Sequence, residues 1–164
     1  MSATSLTIVS GGQSGVDRAA LDAALQLDLP YSGWCPKDGW AEDYKSPPGL
    51  LADYPNLQST PLSDTSQRTL WNVRDSDASL VVSFAASFSP GTDIGAKEAI
   101  RLGKPFLRVY LDHPDSLREA QYLIGALNIG SRISIGGPRE SEARGIYAEA
   151  YSFLLSLLKP LQAT

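Results

Sequence analysis

The chain has 164 residues, of which 43% are hydrophobic and 20% charged, and its 18 acidic and 14 basic residues give a net charge of −4. This length is typical of one domain of roughly 100 to 200 residues, and the acidic balance argues against a general nucleic-acid binder. A single cysteine, Cys35, and a single histidine, His113, exclude an internal disulfide framework and any metal site built from several cysteines or histidines.

The sequence offers no membrane-spanning segment, since no apolar run reaches the roughly 18 residues that a membrane span requires. Residues 1–5 place no basic residue before the first apolar stretch, so we expect no signal peptide. We therefore expect a cytoplasmic protein that binds neither membrane nor nucleic acid.

Short β-rich runs alternate with longer segments of helical periodicity along most of the chain. The patterns predict strands at 6–9, 31–34, 80–84, 106–111 and 131–135, and helices at 16–27, 67–75, 92–102, 117–127 and 146–158. This alternation is typical of an α/β protein with a doubly wound, mainly parallel sheet and helices on both faces. In such sheets ligands bind outside the carboxyl ends of the strands, where the winding reverses.

One stretch, at about residues 35–65, interrupts the alternation. It has no clear periodicity, and residues 30–61 hold 6 of the 11 prolines. Disordered segments are poor in aromatic residues, whereas this stretch contains Trp40, Tyr44 and Tyr54. We predict a long ordered loop with a function, inside a single domain that spans residues 1–164. The alternative is a proline-rich wrap that only covers a sheet edge.

A glycine-rich turn, Gly11-Gly12-Gln13-Ser14-Gly15, follows the first predicted strand and opens the first predicted helix. Glycines let the backbone approach a ligand, and a helix start presents free N–H groups with partial positive charge. The spacing matches neither the dinucleotide fingerprint nor the P-loop, so it predicts an anion-binding turn without naming the ligand. Ser14 or the nearby Asp17 has the alternative role of capping the helix.

Two further turns have the same layout. Ser89-Pro90-Gly91-Thr92 follows the strand that ends near residue 84, and Gly136-Gly137-Pro138-Arg139-Glu140-Ser141 follows the last predicted strand. Arg139 is of the type that holds phosphate or carboxylate with two hydrogen bonds. Three such turns at one edge of a sheet predict a cleft for an anion or a small-molecule cofactor.

Polar residues on the helix after the long loop form a further candidate group. Arg68, Asn72 and Asp75 fall at i, i+4 and i+7 and therefore share one face, which suits a polar heterocycle or a phosphate. The alternative is a solvated face with Arg68–Asp75 or Arg74–Asp77 pairs. Lys37 in the long loop is a further candidate, although a charged loop residue is usually only solvated.

The single histidine and cysteine carry no catalytic prediction. The nucleophile-elbow pattern GxSxG is absent, so we expect His113 in a surface turn. A lone cysteine is most often a small buried apolar residue, which is the role we expect for Cys35.

Several blocks of sequence, taken together, resemble a known family. They are GGQSGVDRAALD at 11–22, PKDGWAED at 36–43, RTLWNVRDSD at 68–77, GT at 91–92, GKP at 103–105, GPRES at 137–141 and GIY at 145–147. In this order they resemble the molybdenum carrier family, also called molybdenum cofactor carrier proteins. That family is similar to the Rossmann-like superfamily that includes the cytokinin-activating phosphoribohydrolases, often labelled lysine decarboxylase-like.

The resemblance implies a Rossmann-like fold and a non-catalytic protein that binds molybdenum cofactor, Mo-molybdopterin, as cargo and protects it for delivery to molybdoenzymes. No protein ligand to the metal is demanded. The resemblance also implies a homo-oligomer, a dimer or a tetramer, and transient contact with molybdoenzymes or cofactor-biosynthesis proteins. Combined with the turns above, it gives the candidate site residues Gly11, Gly12, Gln13, Ser14, Gly15, Lys37, Arg68, Asn72, Asp75, Gly91, Thr92, Gly137, Pro138, Arg139, Glu140 and Ser141.

Two alternative functions stay open: a nucleotide-binding sensor, and a phosphoribohydrolase-like hydrolase of nucleoside monophosphates. The hydrolase pattern PGGxGTxxE is not satisfied, because Gly95 stands three positions after Thr92 where that pattern has glutamate. Glu98, Asp75 and Glu140 are the remaining candidates for an acid or a base.

Overall fold

The computed structural model describes residues 6–162, so the segment that argued against a signal peptide lies outside the described residues. Its strands all run parallel in one sheet with the order β3-β2-β1-β6-β4-β5. They are β1 (Thr7–Val9), β2 (Tyr31–Cys35), β3 (Leu57–Ser59), β4 (Ala78–Ser83), β5 (Phe106–Tyr110) and β6 (Arg132–Gly136).

Helices cover both faces of this sheet. They are α1 (Val16–Gln26), α2 (Leu50–Asp53), α3 (Thr65–Arg74), α4 (Pro90–Arg101), α5 (Ser116–Gly125) and α6 (Ile146–Leu158), with short 3₁₀ turns at Lys37–Gly39 and Lys159–Leu161. Helices α1 and α5 both pack against α6, whereas α3 packs against α4, so the helices form two layers. The α/β class and the doubly wound parallel sheet predicted from the sequence are confirmed.

The core lies along the three central strands. Ile8, Leu80, Val82 and Ile133 are fully buried there, as continuous apolar strands covered on both faces require. The alanines that dominate the inner face of α1 are also fully buried. Their small side chains let α1 lie close to its neighbours, and α1 and α6 form the most extensive helix contact of the fold.

The stretch from 35 to 65 is ordered but is not a plain loop. It contains α2 and the edge strand β3, which pairs with β2 through the register Gly33 with Leu57. Leu57 is the one buried residue of β3, so the strand shows no alternation that a sequence pattern could reveal. The segment therefore extends the sheet by one strand and also supplies residues next to the glycine turns.

The strand order brings the three predicted turns together. Strands β1, β6 and β4 are neighbours, so the segments that follow them leave the same edge of the sheet. The chain passes from β6 into α6 in one helical layer and from β4 into α4 in the other. The winding therefore reverses between β6 and β4, which is where a doubly wound sheet opens a crevice. Among the helices of residues 6–162, none combines the length and the apolar content needed to cross a membrane.

Candidate functional site

A cleft of about 320 Å³ opens at this reversal. Its walls come from α3 and α4, and its floor comes from β4 and β6. Half of the candidate site residues line it: Gly11, Gln13, Arg68, Asn72, Gly91, Thr92, Gly137 and Arg139. The structure thus brings residues of all three turns and of the predicted helical face into one concavity.

Two of the glycines lie against backbone rather than open space. A methyl group added at Gly15 would collide with the carbonyl oxygen of Pro138, and Gly15 has a φ of 82°, which favours glycine. The next residue, Val16, donates its N–H to the same carbonyl at 3.2 Å. A methyl group at Gly137 would collide with the carbonyl of Val82. Gly15 thus lets the first turn lie against the third, and Gly137 lets the third turn lie against β4, which is a structural reason for these glycines beyond ligand approach.

A buried ion pair crosses the cleft from α1 to α3. Arg68 Nη1 lies 2.9 Å from Asp17 Oδ2, and Asp17 is only 4% exposed. Burial raises the pKa of Asp17, while Arg68 and the backbone N–H groups of Gly137 and Gln13 act in the opposite direction. The sequence left Asp17 open as a helix-capping residue. The structure makes it the partner that holds Arg68 against Gly11, where an added methyl group would collide with the guanidinium.

Three buried polar atoms in the cleft have no partner. Gln13 Oε1 accepts hydrogen bonds from the N–H groups of Ser14 at 3.1 Å and Glu42 at 2.8 Å, so the amide orientation is fixed and Nε2 is left free. Arg68 Nε and Ser79 Oγ are likewise unpartnered. Within residues 6–162 these are the buried side-chain nitrogen and oxygen atoms without a hydrogen bond, and all three residues line the cleft.

Ser79 was not predicted from the sequence. A serine inside an apolar strand gives no pattern, and its importance comes from its position on β4 beneath the gap between α3 and α4.

The predicted face of α3 exists, but it contacts β2. Asn72 Oδ1 accepts from the Trp34 N–H at 2.7 Å, and Nδ2 donates to the Trp34 carbonyl at 2.9 Å. Asp75 accepts from the indole N–H of Trp34 at 2.7 Å and also binds Arg74. The hydrogen bonds from Arg74 and, to a smaller extent, from Trp34 lower the pKa of Asp75. Their effect is larger than that of partial burial, which would raise the pKa. Arg68 and Arg74 thus pair with Asp17 and Asp75 rather than with the partners considered from the sequence.

Arg139 lies at the mouth of the cleft between two carboxylates. Its guanidinium nitrogens are 3.9 Å from Glu42 and 3.7 Å from Glu142. Glu42 also accepts hydrogen bonds from the Ser14 hydroxyl and from the backbone and hydroxyl of Ser141. Burial alone would raise the pKa of Glu42, but these hydrogen bonds and Arg139 together lower it. The Glu42 carboxylate therefore contacts Ser14, Arg139 and Ser141, the residues that the sequence predicted to bind an external anion.

The start of α4 is more open than the surroundings of Arg139. Ser89 caps the helix by accepting from the Thr92 N–H at 3.4 Å, and its hydroxyl donates to Glu142 at 3.1 Å. A methyl group added at Gly91 would meet no heavy atom within 4 Å. The first turn of this 12-residue helix faces the mouth of the cleft with partial positive charge.

The remaining candidate residues lie outside the cleft: Gly12, Ser14, Gly15, Lys37, Asp75, Pro138, Glu140 and Ser141. Lys37 is exposed on a 3₁₀ turn. Glu140 accepts from the N–H groups of Gly145 at 2.5 Å and Tyr147 at 3.0 Å and so caps α6. Glu98, considered as a hydrolase acid, pairs with Arg101 one turn further along α4. None of Glu98, Asp75 and Glu140 lines the cleft.

A second concavity on the α1 side holds what we call the Arg18 network, made of Arg18, Asp22, Asp43, Tyr54 and Tyr147. Arg18 donates to the Gly12 carbonyl and makes two 2.9 Å hydrogen bonds to Asp43. Asp22 accepts from Tyr54 at 2.6 Å and from Tyr147 at 2.5 Å. Burial and the bond to Asp22 raise the pKa of both tyrosines. Every polar side-chain atom of Arg18 and Asp22 is occupied.

The single histidine and cysteine lie where the sequence placed them. His113 is exposed in a turn, where its ring accepts from the Asp115 N–H at 3.1 Å. Cys35 is buried, and burial raises the pKa of its thiol to about 11. In the part of the chain that the structure describes, no group of three or more His, Cys, Asp or Glu residues is placed to hold a metal ion.

Comparison with known proteins gives two matches. A profile of the family described as the circularly permutated YpsA SLOG family matches residues 8–158. A crystal structure from Syntrophus aciditrophicus SB, named "Putative molybdenum carrier protein", is 35% identical, and the match covers 94% of this chain and 95% of that one with a TM-score of 0.79. No protein with a curated description is significantly similar in sequence.

Proposed function

The chain belongs to the circularly permutated YpsA SLOG family, and we propose that it is a non-catalytic carrier of molybdenum cofactor. The proposed carrier binds the pterin cofactor in the cleft, shields it from water and oxygen, and releases it to molybdoenzymes. The printed name of the similar crystal structure supports molybdenum-related cargo.

The observation that carries the proposal is the set of unpartnered polar atoms in the cleft. A buried hydrogen-bonding group without a partner costs about 1–3 kcal/mol. Gln13, Arg68 and Ser79 each bear that cost in one cavity. A ligand that supplies hydrogen-bond acceptors to all three groups removes this cost. Ligand binding in the cleft is therefore favourable.

The mouth of the cleft suits the phosphate of the cofactor. The open first turn of α4 offers the N–H group of Gly91, while the Thr92 N–H already donates to Ser89, and a helix N-terminus favours an anion. Arg139 stands across the mouth, where its charge is shared with Glu42 and Glu142. A bound phosphate competes with these carboxylates for Arg139, which provides binding that is reversible enough for transfer.

The carrier role is consistent with the carboxylates that the described cleft presents. Asp17 and Glu142 line it. Asp17 is committed to Arg68, and Glu142 to Arg139 and Ser89. Both carboxylates therefore hold the walls together, and holding a ligand requires no proton transfer from either of them.

The test is retention and protection of the cofactor. The purified protein is mixed without oxygen with molybdenum cofactor released from a molybdoenzyme, and unbound cofactor is removed by gel filtration. We expect molybdenum to elute with the protein, and the bound cofactor to reconstitute a cofactor-free molybdoenzyme after exposure times that inactivate free cofactor. Serum albumin provides the control for non-specific binding. No retained molybdenum, together with decay as fast as with albumin, would overturn the proposal.

Substitution at Gly91 tests the position of the phosphate. Gly91→Asp places a carboxylate in open space at the first turn of α4, where it favours the helix but repels an anion. Gly91→Ala is the matched control, because it adds the same Cβ without charge. We expect Gly91→Asp to retain at least tenfold less cofactor than Gly91→Ala at equal stability. Equal retention by the two variants would remove the α4 terminus from the site.

A further inference from the structure

The three unpartnered atoms differ in depth but present the same chemistry. Gln13 and Arg68 lie at the turn that follows β1, whereas Ser79 of β4 is level, across Ser134 of β6, with Val9 at the end of β1. Arg68 lies against Gly11, two residues beyond Val9, so at about 3.3 Å per residue Ser79 is roughly 7 Å deeper than Gly11. The cleft therefore extends under α3 and α4, and its buried wall offers hydrogen-bond donors: an amide N–H, a guanidinium N–H and a hydroxyl.

This buried wall is electrically balanced. Arg68 carries the one positive charge among the three residues, and Asp17 pairs with it at 2.9 Å. Gln13 and Ser79 are neutral and are 3% and 5% exposed. An oxoanion placed here would bring an uncompensated negative charge into a desolvated space, which is costly. A neutral acceptor, such as a ring carbonyl or a ring nitrogen, satisfies the donors without that cost.

The surroundings of the donors include apolar side chains from several elements. Val73 of α3, Val81 of β4, Ile94 of α4 and Phe106 of β5 line the same cleft. Apolar walls with a few fixed polar groups are typical of sites that hold a planar ring system by its faces and select it by its edge. The open helix terminus and Arg139 are confined to the mouth, where charge is hydrated.

We propose that the buried part of the cleft is a subsite for the carbonyl-bearing edge of a flat heterocycle of the pterin class. Gln13, Arg68 and Ser79 donate to its ring acceptors, and a charged substituent points to the mouth. The choice of a pterin rests on the proposed carrier function. The orientation of the ring in the cleft is inferred from the positions of the donors. This orientation makes Gln13 and Ser79 determinants of specificity for the ring.

The experiment uses probes that separate the ring from the anion. They are 6-hydroxymethylpterin, its 4-amino analogue in which the ring carbonyl is replaced by an amine, inorganic phosphate and molybdate. Binding to the purified full chain is measured by isothermal titration calorimetry. We expect 6-hydroxymethylpterin to bind, and its 4-amino analogue to bind at least tenfold more weakly, because the amine confronts donors with another donor.

Two variants probe the donors, and each is compared with a matched control variant. Gln13→Glu keeps an oxygen for the N–H groups of Ser14 and Glu42 but replaces the free donor by an acceptor. Gln67→Glu is its matched control, since Gln67 Oε1 also accepts a backbone N–H, from Leu62, and Gln67 does not line the cleft. Ser79→Ala removes the deep hydroxyl. Ser131→Ala is its control, because Ser131 is a buried serine that does not line the cleft.

We expect Gln13→Glu to weaken pterin binding at least tenfold, and Ser79→Ala to weaken it about three- to tenfold. Both control variants should bind the pterin as the native chain does. Equal pterin affinity in all four variants overturns the subsite, even if the protein retains molybdenum cofactor. The subsite is also overturned, in favour of a buried oxoanion site, if the pterin does not bind while phosphate or molybdate does and Gln13→Glu abolishes that binding. Pterin binding with these sensitivities supports the subsite even if cofactor retention, and with it the carrier function, fails.

Discussion

The glycine-rich segment at 11–22 builds two concavities of opposite character. On the α1 side it contributes Arg18 and Asp22, whose polar side-chain atoms all have protein partners. On the cleft side it contributes Gln13, which retains a buried donor without a partner. Both regions are polar, and both are lined by residues of the same sequence block.

This difference distinguishes polar groups that stabilise the fold from polar groups that are available to bind a ligand. A buried polar group that the protein satisfies contributes to the fold, whereas one left unsatisfied costs stability that a ligand can restore. By this criterion the Arg18 network holds the long segment onto α1, and the cleft is where a ligand belongs. The comparison makes opposite predictions for substitutions in the two regions.

The largest expected effect is at Arg18. Arg18→Ala leaves the Gly12 carbonyl and Asp43 without their donor and removes the cation from the ring of Tyr44, which lies 4.7 Å away. We expect a loss of about 3 kcal/mol in the free energy of unfolding, the lower range for breaking a buried ion pair, since Asp43 is half exposed. Urea unfolding followed by tryptophan fluorescence measures it.

The control for Arg18 is Arg101→Ala, which removes a surface ion pair with Glu98, and we expect its free energy of unfolding to stay close to that of the native chain. An Arg18→Ala effect no larger than that of Arg101→Ala would show that the network does not stabilise the fold.

The tyrosines of the network give the next effect. Tyr54→Phe or Tyr147→Phe leaves one carboxylate oxygen of Asp22 without its donor, and each should cost about 1.5 kcal/mol, typical of a hydrogen bond to a charged group. Because both bonds end on Asp22, the double variant should differ from the sum of the singles. Thermal unfolding of the singles and the double measures the coupling. Tyr122→Phe, at a residue 84% exposed, is the neutral control, and strict additivity would contradict a shared acceptor.

Glu42 connects the two regions and makes stability depend on pH. Its pKa is lowered in the folded protein, so the folded state favours the carboxylate more than the unfolded state does. Its contribution, about 1 kcal/mol, is therefore present above the ordinary pKa of 4.5 and is lost as the pH falls through the lowered value. Glu42→Gln should lack this contribution at neutral pH and converge with the native chain in acid. Denaturation midpoints between pH 7 and pH 3 test it, and curves that stay parallel would contradict the contact.

Much of the fold follows from the sequence because strand and helix periodicities are local. Strands β1 and β4 and helices α1 and α6 appear as patterns, and parallel topology then fixes the common edge of the three turns. Strand β3 was missed, since one buried residue, Leu57, leaves no period to detect.

The site was predictable in location but only partly in detail. The turns and the face of α3 identify the cleft, yet whether Glu140 caps a helix or binds a ligand depends on contacts that no motif encodes. The pairing of Arg68 with Asp17 joins residues 51 positions apart. Ser79 has no signal, because its role depends on the space above its strand.

The smallest expected change in stability is the sharpest test of the comparison. Ser79 and Ser76 are buried serines three positions apart, 5% and 3% exposed, but Ser76 donates to the Asn72 carbonyl at 2.7 Å while Ser79 has no partner. Ser76→Ala should cost about 1 kcal/mol, the value of a satisfied hydrogen bond, whereas Ser79→Ala should leave stability unchanged or raise it by up to about 1 kcal/mol. Urea unfolding of the two variants compares them directly. If Ser79→Ala loses as much stability as Ser76→Ala, the Ser79 hydroxyl is already satisfied in the free protein. The cleft would then present one donor fewer, and the contrast with the Arg18 network would rest on Gln13 and Arg68.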